Sequence, residues 1–145
     1  MEVAPGASWL VSPVGTYEQF TGADFTETDL LLAKTAEDFV RGEVLPRLEE
    51  IEAKAEGVMP ALLKRAGELG LLMVDIPERY GGLGLHKTTS LLVAERGALF
   101  ASFGISAGAH TGIGTLPIVY YGTEAQRAPR SDTSIDVVLC SPSPP

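Results

Sequence analysis

What this sequence has little of narrows it first. One cysteine, Cys140, stands among 145 residues, so an internal disulfide is impossible and a thiolate metal site lacks its ligands; the usage fits a reducing compartment. The two histidines, His86 and His110, lie far apart in sequence and do not make a metal cluster. They read as a cap or loop residue and an interior residue, respectively. Positive charge is scarce, with 11 Lys and Arg against 19 Asp and Glu and a formal charge of −8. A nucleic-acid binder needs clustered cations against phosphate, so that class is excluded. The most apolar region is interrupted by Ser102, Ser106, His110, Thr111, Thr115 and Pro117, which argues against a membrane span. No basic residue precedes Lys34, and Pro5 and Pro13 break the apolar start, so no secretory or transit leader is expected and the location expected is cytoplasmic. Neither GxGxxG after a strand nor GxxxxGK[ST] occurs, which removes those phosphate cradles. Ser106 or Thr111 beside His110 lacks both a nucleophile elbow and an orienting acid, so no catalytic triad forms.

What is present is a helical pattern. Hydrophobic residues make up 45% and charged residues 21%, the balance of a chain that buries a core. Residues 1–25 read as an extended leader whose Trp9, Leu10, Tyr17, Phe20 and Phe25 suit a surface groove. Thr26 and Asp29 have capping-box spacing, and Leu32, Ala33, Ala36, Phe39 and Val40 then recur at helical period. Pro46 starts or kinks a second stretch, "PRLEEIEAKAE". "GVMPALLKRAGELGLL" is a further helix with Pro60 in its first turn and Gly70 at its C-terminal cap. Pro77 and Gly81-Gly82 make the next stretch a loop. Lys87 to Phe100 is helical, with Glu95 and Arg96 interrupting its apolar run, so one of them is expected to pair internally. One more helix stops or bends near Gly114 to Pro117, and Thr123 caps a last one. The expectation is all-α, a bundle of five or six helices over 26–127, followed by an unstructured Ser/Pro-rich tail at 128–145.

Between Arg96 and Glu124 no residue carries a full charge, and Gly104, Gly108 and Gly112 stand four apart, on one face of a helix. Each costs about 1 kcal/mol against Ala there, a noticeable fraction of the roughly 5–15 kcal/mol that stabilises a domain. Three readings offset that cost: close helix packing in a core, a transmembrane helix contact, or a groove floor that leaves room for a long apolar ligand. The polar residues named above weigh against the membrane reading.

One long stretch is specific. "ELGLLMVDIPERYGGLGL", followed by "LLVAERGALFASFGISAGAHTGIGTLPIVYYGTEAQR", resembles the N-terminal helical domain of the acyl-CoA dehydrogenase family in order and spacing. The leader from "GASWL" to "FTGADFTETD" is similar to its longer-chain, very-long-chain-like bacterial branch, and the resemblance spans about residues 6–127. It implies a flavoprotein oxidoreductase of fatty acid β-oxidation that performs α,β-dehydrogenation of a fatty acyl-CoA with FAD. Reoxidation by an electron-transferring flavoprotein, and a possible homo-oligomer, are implied with it. It also implies that the helix around residues 104–113 closes the far end of the acyl pocket, making Gly104, Gly108, Ala109, Gly112 and Ile113 the substrate-binding candidates. No catalytic, cofactor-binding or metal residue is carried over.

After "EAQR" the chain departs from the family pattern, reading "APRSDTSIDVVLCSPSPP" where a flavin-contacting domain is expected. The expectation is therefore a truncated fragment, from a frameshift or premature end, that binds no FAD stably and is inactive alone. The alternative is a stand-alone helical module that binds an acyl chain or a full-length dehydrogenase subunit.

Overall fold

The computed structural model describes residues 8–13, 15–16 and 20–127. The tail expected to be unstructured lies outside these residues, as do Tyr17 and the side chain of Trp9. The fold is all-helical among the described residues. Of the leader, Ser8–Val11 and Gly22–Asp24 form 3-10 turns, and Phe20 meets Phe25 edge-on at 4.9 Å.

Helix α1 spans Glu27–Phe39. Its capping box forms in full: Asp29 N–H donates to Thr26 Oγ1 at 3.3 Å, and Thr26 N–H donates to Asp29 Oδ2 at 2.8 Å. The rod widens into a π turn at Val40–Val44, tightens into a 3-10 turn at Leu45–Arg47, and ends as α2, Leu48–Glu52. Proline explains the change. Pro46 has no N–H to donate and its ring crowds the carbonyl four residues back, at Gly42, so the preceding turn opens. Leu45 N–H accordingly bonds Val40 O, five residues back. Pro117 repeats the device. Helix α5, Ala101–Ala109, opens into a π turn at His110–Thr115 and continues as α6, Leu116–Tyr121. Thr115 Oγ1 donates to His110 O at 2.7 Å across the wide turn.

Between these rods lie α3, Val58–Glu68, and α4, Lys87–Gly97; α7, Glu124–Arg127, follows them. Seven α segments thus make five rods among the described residues. Gly70, at φ +76°, closes α3 with a Schellman pair: its N–H donates to Gly67 O, and Leu71 N–H to Ala66 O. The loop after it folds back through Leu83 N–H to Met73 O and Leu85 N–H to Val74 O. That return brings Gly82 so near Ile76 that a Cβ there would lie 2.1 Å from the Ile76 carbonyl oxygen. Lys87 Nζ pairs with Asp75 Oδ2 at 2.6 Å and ties this loop to the start of α4.

The core is one cluster of Phe39, Val40, Val44, Leu62, Leu63, Leu72, Val93 and Phe103 with their neighbours. Phe39 of α1 and Phe103 of α5 meet edge-to-face at 5.6 Å. Full burial of such side chains is worth about 1.5–3 kcal/mol each. Helix α1 packs chiefly against α4, where Thr89 Oγ1 donates to Asp29 Oδ1 at 2.6 Å. This bond, then those from Thr26, hold the Asp29 carboxyl below its ordinary pKa.

Candidate functional site

Helix α5 presents a different chemistry on each side. Phe103 points into the core, and His110 is buried just beyond it. Ser102 Oγ donates to Glu52 Oε1 at 2.6 Å, beside an open notch of about 440 Å³ formed with the α2–α3 connection. Ile105 and Ile113 are 73% and 83% exposed. On the side of α5 toward α4, Gly104 and Gly108 border a cavity of about 80 Å³.

Its remaining walls include Phe39, Val40, Leu72, Val93, Ala94 and Phe103. Ser90 and Thr111 are the polar side chains among its lining, and the Thr111 hydroxyl donates to Ala107 O at 3.1 Å. A volume this small and this apolar suits the end of an alkyl chain. It falls well short of the roughly 300–1,000 Å³ that a drug-sized ligand occupies.

The five sequence candidates separate in space. Gly104 and Gly108 line the cavity, whereas Ala109, Gly112 and Ile113 lie outside its lining. At about 100° per residue Gly112 falls roughly 80° from Gly104 around the helix, whereas Thr111 falls within roughly 20°, so Thr111 takes the place of the third glycine. Phe39 and Val93, read from the sequence only as core or helix residues, supply walls that no local motif marks.

The glycines also differ in what holds them. A Cβ at Gly104 would come within 3.2 Å of Ala98 Cα, a close chain approach, while at Gly108 and Gly112 it would meet nothing within 4 Å. Close packing therefore accounts for one glycine of the three. No helix among the described residues is long and apolar enough to cross a membrane.

Other candidates are structural. His86 is the N-cap residue of α4, without a side-chain capping bond. Arg96 Nη1 lies 3.7 Å from Glu37 Oε2 with both groups partly exposed, so the pairing expected near Glu95 and Arg96 lies at the surface, where such pairs contribute about 0–1 kcal/mol. Arg127 Nη2 donates to Tyr120 O at 3.2 Å and its Nη1 to Tyr80 Oη at 3.3 Å, closing the end of α6 onto the Glu78–Tyr80 turn. Arg79 and Arg127 hold the Tyr80 phenol below its ordinary pKa. Among the described residues no three metal-ligating side chains gather.

Fold and site together define a helical domain around a small apolar cavity, one of its rods left largely uncharged and uncovered. The family profile described as "Acyl-CoA dehydrogenase, N-terminal domain" matches residues 26–129, and the chain belongs to that family. A "Probable acyl-CoA dehydrogenase" of Bacillus subtilis is 47% identical over 127 residues, 87% of this chain and 21% of the relative. The mouse "Short-chain specific acyl-CoA dehydrogenase, mitochondrial" is 30% identical, over 74% of this chain and 26% of its own length. The crystal structure of an acyl-CoA dehydrogenase complexed with FAD from Bacillus anthracis superposes with a TM-score of 0.79 at 48% identity, covering 84% of this chain and 21% of that one. The chain thus spans about a fifth to a quarter of the length of these relatives.

Proposed function

We propose that this chain supplies the helical domain closing the tail end of the acyl pocket in a FAD-dependent acyl-CoA dehydrogenase, with a fatty acyl-CoA as substrate and α,β-dehydrogenation as the reaction. The observation that carries the reading is the apolar cavity beneath Gly104 and Gly108, on a chain that matches this family over most of its length. Unfilled space over Gly108 leaves room for an apolar tail to pass the helix. Ala109, Gly112 and Ile113 lie outside that lining and would meet the tail only on a wall shared with the rest of the enzyme. Electron-transferring flavoprotein as electron acceptor and a homo-oligomeric assembly belong to the same reading. So does a cytoplasmic setting, with which the single cysteine is compatible.

FAD itself does not fit the described residues. The cavity is too small for it, and the open notch sets Lys54 between Glu52 and Glu56, with no glycine-rich phosphate cradle. The base that removes the substrate proton is likewise proposed to lie in polypeptide beyond this domain.

A chimera tests the reading. Residues 8–127 replace the matched segment of the 47% identical Bacillus subtilis relative. The expected chimera retains bound FAD and reduces dye only when acyl-CoA is added. In that background Gly108→Leu is expected to lower kcat/KM at least tenfold for long tails and leave short ones within about twofold, since a pocket responds to each methylene by roughly 1–3 kcal/mol. A chimera without acyl-CoA-dependent turnover, or a Gly108→Leu loss equal at every chain length, refutes it.

A further inference from the structure

Ser90, on the α4 wall of the cavity, is set apart from other helix hydroxyls by what it does not bond. Thr35, Ser106 and Thr111 each donate to the carbonyl four residues back, which satisfies the proton within the helix itself. Thr89 donates to Asp29, and Ser102 to Glu52. The Ser90 hydroxyl makes no hydrogen bond among the described residues, although the residue is partly buried in a lining dominated by Phe39, Leu72, Val93 and Phe103.

That arrangement is poorly matched to a tail made only of methylenes. An alkyl end that fills the cavity strips water from the hydroxyl and returns no partner, and a polar group stranded in this way weakens binding. An oxygen at the end of the tail accepts the Ser90 proton and removes that cost. Room is limited: an apolar cavity of roughly 150 Å³ holds one benzene, so one of about 80 Å³ takes about three heavy atoms.

We propose that the cavity takes the oxygen-bearing end of an aliphatic chain, with a terminal hydroxyl bonded to Ser90 and its last carbons against Phe39, Val93 and Phe103. The proposal rests on the pocket reading above and names the tail that the pocket takes.

Two probes of equal length decide it. 6-Hydroxyhexanoate and heptanoate differ only in ending in a hydroxyl or a methyl group. Each is titrated into the isotope-labelled 145-residue chain, and the amide signals of Ala94, Gly104 and Gly108 are followed by NMR. The hydroxyl-ended probe is expected to bind saturably. Ser90→Ala is expected to weaken it at least threefold while heptanoate binds as well or better, because alanine removes the stranded group. Ser106→Ala, on the notch side of α5, is expected to change neither probe. Gly108→Leu is expected to displace both, which places them in the cavity. Circular dichroism melts check that every variant is folded. Binding that survives Gly108→Leu, or a Ser106→Ala loss equal to that of Ser90→Ala, overturns the proposal. If both probes bind and Ser90→Ala treats them alike, the hydroxyl preference falls and the pocket reading stands. If neither binds, both fall.

Discussion

Gly104 and Gly108 sit one turn apart on α5, yet their surroundings ask for opposite things. At Gly104 a methyl group would press on Ala98 Cα at 3.2 Å, in backbone that has little freedom to yield. At Gly108 the same methyl meets open space. Alanine is the better helix former by about 1 kcal/mol. Gly108→Ala is therefore expected to stabilise the chain by about that amount in denaturant melts, and Gly104→Ala to give no gain or a loss. Equal gains at both positions would mean that Ala98 is not the constraint. The residue scale also explains why the glycine spacing was informative only in part. Four-residue spacing drifts by about 40° per step around an α-helix, so Gly104 and Gly108 both border the cavity while Gly112, about 80° from Gly104, does not.

Among the elements, α1 and α4 are joined by a tie that depends on ionisation. Asp29 accepts bonds from Thr89 across the interface and from Thr26 at its own helix start, and its carboxyl titrates below the ordinary value. A depressed carboxylate contributes stability that is whole above the unfolded-state pKa, near 3.9, and disappears as pH falls through the lower folded value. The melting temperature is thus expected to fall below about pH 4. Asp29→Asn should flatten that acid limb while lowering the melting temperature at pH 7, and a variant whose acid limb is unchanged would remove Asp29 as its source. Sequence reading reached most of the helices. The Thr26–Asp29 box, Gly70 and the Gly81-Gly82 loop are local chemistry, and each occurs where its residues predicted. Helix α2 ends at Glu52 instead of running through the acidic stretch, because Lys54 turns left-handed at φ 54°. The Thr89–Asp29 bond was not legible, since it joins residues 60 apart through packing alone.

At the scale of the whole molecule, cavity and outer face share one rod, α5, yet open in different directions. Neither the apolar cavity nor the open notch among the described residues has the size and phosphate cradle that a flavin dinucleotide asks for. The purified 145-residue chain is expected to show no flavin absorbance after dialysis against FAD and no acyl-CoA-dependent dye reduction, with absorbance spectra and a dye assay as the checks. Stoichiometric flavin would require a binding surface beyond the two cavities described above. The cavity was reachable from sequence only through resemblance, because its walls come from α1, α3, α4 and α5 and no single stretch announces it.

The two wide turns have an evolutionary side. Each holds about one residue more than the α ladder around it needs, so losing a residue there would leave a continuous helix. The faces downstream would then stay almost where they are, whereas a deletion in the straight α turns would swing everything downstream by about 100° around the rod axis. In the second rod such a swing, from a deletion within Ala101–Ala109, would carry Tyr120 and Tyr121 to another side of the protein. For descendants of this gene, a single-codon deletion between positions 110 and 115 would thus spare the outer surface, while one in the straight turns of α5 would act as a steering mutation, re-aiming that surface while keeping its composition.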